Sequence, residues 1–385
     1  MVDELKAKRL SGIGEYYFSR KLKQIADLNA EGHNVLNLGI GSPDLHPPKK
    51  VQEALIQGLT ETNANQYQSY RGIAELREAF VSWYKKFFDV ALDAESEILP
   101  LIGSKEGIMH ICMSLINEGD RVLVPNPGYP TYSSASQIAG AEVFHYELTE
   151  ENNYLPDFDK LETIENIKMM WVNYPHMPTG KDGSEALFEQ LNDYSCRKGV
   201  IIVNDNPYGF ILTNKQNSLL KNRLETDLVL ELNSLSKSHN MAGWRLGVLA
   251  GNRDLIQTVL TFKSNMDSGQ FKPLMRAAIA ALEVDSDWYK FLNNVYEERK
   301  KKVLEIAELI GCDVTNEQVG MFVWAKIPGA FDHSEAFADH LLDKYRIFVP
   351  PGTVFGTEGS QHIRFSLCSD MPVWDEVIER IKEKS

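Results

Sequence analysis

Ser234-Leu-Ser-Lys-Ser-His-Asn-Met-Ala-Gly-Trp-Arg-Leu-Gly247 sets one lysine, Lys237, among serines, with Arg245 eight residues further on. An amine flanked by hydroxyls and a guanidinium suits a phosphorylated aldehyde. The amine condenses with the carbonyl, while Ser234, Ser236 and Arg245 take the phosphate. A lysine in a serine-rich loop is equally ordinary solvated surface, so the reading turns on what the rest of the chain brings to it.

Working outward, short apolar runs alternate with helical stretches. Arg121-Val-Leu-Val, Glu142-Val-Phe-His-Tyr, Met169-Met-Trp-Val-Asn, Val200-Ile-Ile-Val-Asn, Leu228-Val-Leu-Glu-Leu and Leu246-Gly-Val-Leu-Ala read as strands, several covered on both faces, with a helix at 184–198. This pattern predicts an α/β domain with a mostly parallel sheet. Ligands of such sheets sit beyond the carboxyl ends of the strands. Gly103, Asn173, Asp205 and Ser234 each follow an apolar strand and are expected along one edge. In Leu99-Pro-Leu-Ile-Gly-Ser-Lys-Glu-Gly107 a strand ends in Gly-Ser just where a helix begins, which offers amides to a phosphate or a plain Ser104 cap. Helices over 16–30 and 273–306, strands at 321–326 and 362–366, and a helix near 334–344 make up a smaller α+β unit and its connection.

Composition narrows the classes. The chain has 385 residues, is 43% hydrophobic and 24% charged, and has a formal net charge of -14, which disfavours nucleic acid or an anionic membrane as partner. Its four cysteines, Cys112, Cys196, Cys312 and Cys368, lie far apart, which suggests neither a disulfide framework nor a metal site. The N-terminus lacks an apolar leader core and no run is long enough to span a membrane, so the expected compartment is the cytoplasm.

Pyridoxal 5'-phosphate is a phosphorylated aldehyde with further demands. Its pyridine nitrogen needs a carboxylate that keeps it protonated. Asp205, at the end of Val200-Ile-Ile-Val-Asn-Asp-Asn-Pro-Tyr208, offers one on a buried strand end, where a charge is costly unless it meets a cation. A strand-end aspartate is also a common cap or turn residue. Tyr208, three residues on, is placed to reach the ring's phenolic oxygen, and Ser104 and Lys105 join the phosphate donors.

The stretch at Lys237 resembles the S-x-S-K…G-x-R-x-G segment of the class I/II aminotransferases, and further motifs recur in that family's order. The resemblance implies the aspartate aminotransferase fold, a fold-type I PLP-dependent transferase. Its large cofactor-binding domain would span 46–285, and a smaller domain would comprise 1–45 and 286–385. It implies catalytic roles for Lys237, Asp205 and Tyr208, and a ring-stacking role for Tyr129 in Pro125-Asn-Pro-Gly-Tyr-Pro-Thr-Tyr132. Tyr67, in Tyr67-Gln-Ser-Tyr-Arg-Gly72, would reach the phosphate from the other subunit of a homodimer. Gly41 and Arg364 would hold the substrate carboxylate. The implied activity is ping-pong transamination between an amino acid and a 2-oxo acid.

Lys263-Ser-Asn-Met-Asp-Ser-Gly-Gln-Phe271, Gly320-Met-Phe-Val-Trp324 and Leu38-Gly-Ile-Gly-Ser-Pro-Asp-Leu45 resemble the diaminopimelate and succinyl-diaminopimelate branch, with Tyr16, Asn265 and Arg71 as side-chain contacts. One position departs from the pattern. In Asn173-Tyr-Pro-His-Met-Pro-Thr-Gly180, Met177 stands where the family has an asparagine, and a thioether donates no hydrogen bond. Tyr208 would then serve the phenolate alone, and Arg364 with the Gly41 backbone the carboxylate, helped by His176. β-Elimination or decarboxylation on the same fold, and a non-catalytic cofactor-binding regulator, are the alternatives.

Overall fold

The computed structural model describes residues 5–384 apart from 16, 225 and 316. In chain order the strands are β1 (Leu36–Asn37), β2 (Ile98–Leu101), β3 (Arg121–Asn126), β4 (Glu142–Glu147), β5 (Ile167–Val172), β6 (Ile201–Asp205), β7 (Val229–Ser234), β8 (Gly247–Gly251), β9 (Phe322–Lys326), β10 (Ile347–Phe348) and β11 (His362–Ser366).

A seven-stranded sheet runs β2-β8-β7-β6-β5-β3-β4. The pairs β3–β4, β3–β5, β5–β6 and β6–β7 are parallel, while β8 lies antiparallel to both β2 and β7. Residues alternate between two cores because successive side chains of a strand point to opposite faces. Met170, Val172 and Ile202 enter one cluster with Trp83, Phe88 and Leu123. Met169, Trp171, Ile201 and Val203 enter the other with Ile108, Val122 and Leu249. Both faces are therefore dry, which is why these strands read as continuous apolar runs. Truncating one such residue, Ile202→Ala, would cost about 2–5 kcal/mol.

A third core gathers Leu38, Val323, Phe365 and Trp374 with residues of the helix Ser286–Leu309, and it draws in Phe18, Met177, Tyr208 and Ile211. β9 and β11 pair antiparallel, and β1 pairs parallel with β10. The segment after β1 is sewn to this unit. Ser366 N donates to Leu38 O at 2.7 Å, and Ser366 Oγ to Ile40 O at 2.9 Å. Arg299 grips Asp44 through two bonds of 2.7 Å. A forked guanidinium–carboxylate pair fixes orientation as well as distance. It ties the Gly39–Asp44 turn to this smaller unit, where Arg299 also donates to Leu367 O at 2.9 Å.

Candidate active site

Because β8 is antiparallel to both neighbours, β2 runs in the same sense as β7, and the carboxyl ends of β2, β5, β6 and β7 share one edge. A cleft of about 910 Å³ opens there. It is lined by Gly41, Ser104, Lys105, Tyr129, Asp205, Tyr208, Ser234, Ser236, Lys237, Arg245 and Arg364, together with Phe18, Leu22, Ile40, Tyr132, Asn173, Met177 and Phe322.

One end is built for an anion. Gly103 precedes the helix Ser104–Leu115 with φ +85°, and a Cβ there would lie 2.1 Å from Arg245 Nη2. Only glycine lets the guanidinium come so close to the amides of the helix start. Ser104 is the first helical residue and not the cap, which is Gly103. Ser234 Oγ donates to Ser236 Oγ at 2.8 Å and accepts from Ser236 N at 3.1 Å. Arg245 itself has φ +56°, a left-handed conformation that a non-glycine residue adopts only under local constraint, and its Nη1 donates to Ala242 O at 2.9 Å.

In the middle, Lys237 Nζ donates to Gly41 O. Burial lowers the pKa of this amine, with Arg364 and Arg245 pushing the same way and Cys368 and Asp205 opposing. Asp205 is buried, and burial pushes its carboxyl up to about 6 against the pull of Tyr132 and Lys237. Its Oδ2 accepts from Tyr132 OH at 2.8 Å and its main-chain oxygen from Asn173 Nδ2. Its Oδ1 is buried with no partner among the described residues. The Tyr132 ring is held by stacking on Trp171, with centroids 5.0 Å apart and planes at 8°. Burial also raises the Tyr208 phenol pKa well above its usual value.

At the other end, Arg364 Nη2 donates to Gly39 O at 2.7 Å and Nη1 lies 3.2 Å from Met177 Sδ. Its guanidinium carbon stands 4.0 Å from the Phe322 ring centroid, 4.5 Å from Phe355 and 5.5 Å from Phe18. A Cβ at Gly41 would meet Phe322 Cζ at 2.4 Å, so glycine is what lets this turn lie against the aromatic ring.

Some expected residues lie elsewhere. Tyr67, expected to serve the other subunit, is 90% exposed and does not line this chain's cleft. Asn265 donates to Thr261 O and lines a separate hollow, and Arg71 is engaged with Glu95 O and Gln257. His176 is buried outside the cleft lining, bonded to Thr179 Oγ1 at 2.8 Å and pushed down to about 3 by burial. Tyr16 falls outside the described residues. Sequence reasoning missed Tyr132, Phe18 and Phe322. Tyr132 sits one helical turn past Tyr129 in the same motif, and that spacing was the available signal.

The donor set fits pyridoxal 5'-phosphate: an amine of lowered pKa, an unpartnered carboxylate oxygen for a ring nitrogen, and a cup of hydroxyls, amides and a guanidinium for a phosphate. Comparison with known proteins agrees. The model of the family "aminotransferase class I and II" matches residues 33–381. LL-diaminopimelate aminotransferase of Dehalococcoides mccartyi is 38% identical over 97% of this chain and 96% of its own, and that of Aquifex aeolicus 36% over 97% of each. A substrate-bound structure of BacF from Bacillus subtilis superposes with a TM-score of 0.93 at 33% identity, covering 98% of this chain and 97% of that one.

Proposed function

The chain belongs to the class I and II aminotransferases, and we propose that its cleft residues divide the work of the family's cofactor, pyridoxal 5'-phosphate, as follows. The enzyme moves an amino group between an amino acid and a 2-oxo acid by a ping-pong route. When bound, the cofactor supplies the aldehyde that takes the amino group and a ring that delocalises the electron pair left at Cα. Lys237 Nζ, its pKa lowered by burial, would take the proton from the substrate Cα and deliver it to the cofactor's former aldehyde carbon. Asp205, steadied through Oδ2 by Tyr132, offers Oδ1 to the ring nitrogen. Tyr208 serves the phenolic oxygen and Tyr129 the ring face. Ser104, Lys105, Ser234, Ser236 and Arg245 take the phosphate, and Arg364 with the Gly41 backbone takes the substrate carboxylate.

The observation that carries this reading is Asp205 Oδ1, a buried carboxylate oxygen with no partner among the described residues and thus a standing cost unless a cation meets it. The test is a half-reaction. Holoenzyme given an amino donor and no acceptor should release one equivalent of 2-oxo acid per site and then stop until a 2-oxo acid is added. Continuous release without acceptor points to elimination or decarboxylation instead.

Residues 46–285 are assigned to the cofactor-binding domain, and 1–45 with 286–385 to the smaller one, in keeping with the separate cores. Homodimerisation is supported by exposed Ile56, Leu59, Tyr67, Tyr70, Met266 and Phe271 on the cofactor-binding domain, with Tyr67 completing the phosphate cup of the partner. Among the described residues no helix is long and apolar enough to cross a membrane. The kinship with diaminopimelate aminotransferases favours one reading of the donor. The lining of the cleft favours another.

A further inference from the structure

We propose that the amino donor carries a large, uncharged, apolar side chain, aromatic, branched or thioether, and not one with a charge at its far end. This rests on reading the cleft as a pyridoxal phosphate-dependent aminotransferase site. Among the described residues that line it, the formal charges are Lys105, Asp205, Lys237, Arg245 and Arg364. Four of these are engaged by the reaction centre. Lys105 and Arg245 stand at the helix start with the serines, Lys237 is the amine, and Asp205 lies behind Tyr132.

Arg364 is left for the α-carboxylate and has little room for anything else. Phe322 covers it at 4.0 Å and Phe355 at 4.5 Å, Met177 Sδ lies 3.2 Å from one terminal nitrogen, and Gly39 O takes the other. Beyond it the wall is Phe18, Leu22, Ile40, Met177 and Phe322, interrupted by Ser19 and Ser42. None of these carries a charge to balance a second carboxylate or a distal ammonium, Ser19 and Ser42 offering only neutral hydroxyls, and burying an unbalanced charge there would be costly. Residues 66–70, the segment given to the partner subunit, read Gln-Tyr-Gln-Ser-Tyr and carry no formal charge. The neighbouring Arg71 guanidinium is held at home by Glu95 O and Gln257. The same site thus combines one carboxylate anchor with an apolar lining, a pairing that selects by size and dryness.

Purified holoenzyme is given L-phenylalanine, L-leucine, L-methionine, L-aspartate, L-glutamate and LL-diaminopimelate in turn, and the half-reaction is timed. Apolar donors should exceed the charged ones in kcat/KM by at least about 100-fold. Binding without turnover should agree, with 3-phenylpropanoate shifting the bound cofactor's absorbance at lower concentration than glutarate. Leu22→Arg, a change at a half-exposed rim position, should move the glutamate-to-phenylalanine ratio at least tenfold toward glutamate with the same thermal midpoint. Aspartate, glutamate or LL-diaminopimelate equal to or better than every apolar donor overturns the proposal while leaving the aminotransferase reading intact. If no donor yields its amine to a cofactor-loaded enzyme, both fall together.

Discussion

The two ends of the cleft are built on opposite principles. At the cofactor end polar groups converge from separate strands, and each has a defined counterpart: Asp205 with Tyr132, Ser234 with Ser236, Arg245 against Gly103. At the substrate end a single guanidinium sits in an aromatic surround of Phe18, Phe322 and Phe355, with a thioether where a hydrogen-bond donor would be the usual choice. Chemistry common to all donors demands fixed, charged partners. Recognition of one donor among many is left to shape and desolvation, where no single residue is indispensable.

Substitutions graded across that divide should sharpen or break the contrast. The largest effect belongs to Lys237→Ala, which removes the proposed proton carrier and should cut turnover by roughly a thousand-fold or more. Appreciable residual rate in a steady-state assay would break the scheme. Next is Arg364→Leu, which removes the proposed partner of the substrate carboxylate and leaves an apolar surround. It should cost about 3 kcal/mol, on the order of 100-fold in kcat/KM, with cofactor binding unchanged by absorbance titration.

Asp205→Asn should separate affinity from stability. The Asp205 carboxyl is pushed up to about 6 in the fold, against 3.8 as its ordinary value, so the folded apoprotein holds a proton that the unfolded chain has lost. Stability from this group therefore falls as pH rises from about 4 through 6. In the absence of cofactor the amide variant should be more stable than the parent at pH 7.5, by on the order of 2 kcal/mol, and should lose that advantage at pH 4. Its cofactor affinity should drop at least tenfold. Denaturant melts at both pH values, with and without pyridoxal phosphate, check the sign of each effect.

Tyr132→Phe removes one bond of 2.8 Å to the same carboxylate. It should weaken cofactor binding by about 1 kcal/mol, a few-fold in Kd. Smallest of all, Met177→Asn should change amino-acid binding by less than about fivefold, because Arg364 already has its contacts and the site has closed round the thioether. A large gain in affinity would mean that the carboxylate lacks a partner in this chain.

Much of the cofactor end was legible in the sequence because its demands are local. A glycine before a helix, serines two apart and a carboxylate at a strand end are short patterns, and buried strands announce themselves as apolar runs. Where partners come from different parts of the chain the signal fails. Nothing in the sequence ties Met177 to Arg364, 187 residues apart, or sets Phe18 against the same guanidinium. Tyr132 escaped because it shares a motif with Tyr129, and which ring meets Asp205 depends on how the helix Pro130–Ile138 leaves β3. The two-residue strand at Ile347–Phe348 is too short to show a period, and it exists because β1 lies beside it.

Lys237 is the residue proposed to hold the cofactor. Holoenzyme reduced with borohydride, digested and analysed by mass spectrometry should carry the phosphopyridoxyl mass on the peptide containing Lys237, in near-stoichiometric yield. The label on Lys105 or another lysine, or no label on a protein that still transfers amino groups, would contradict it.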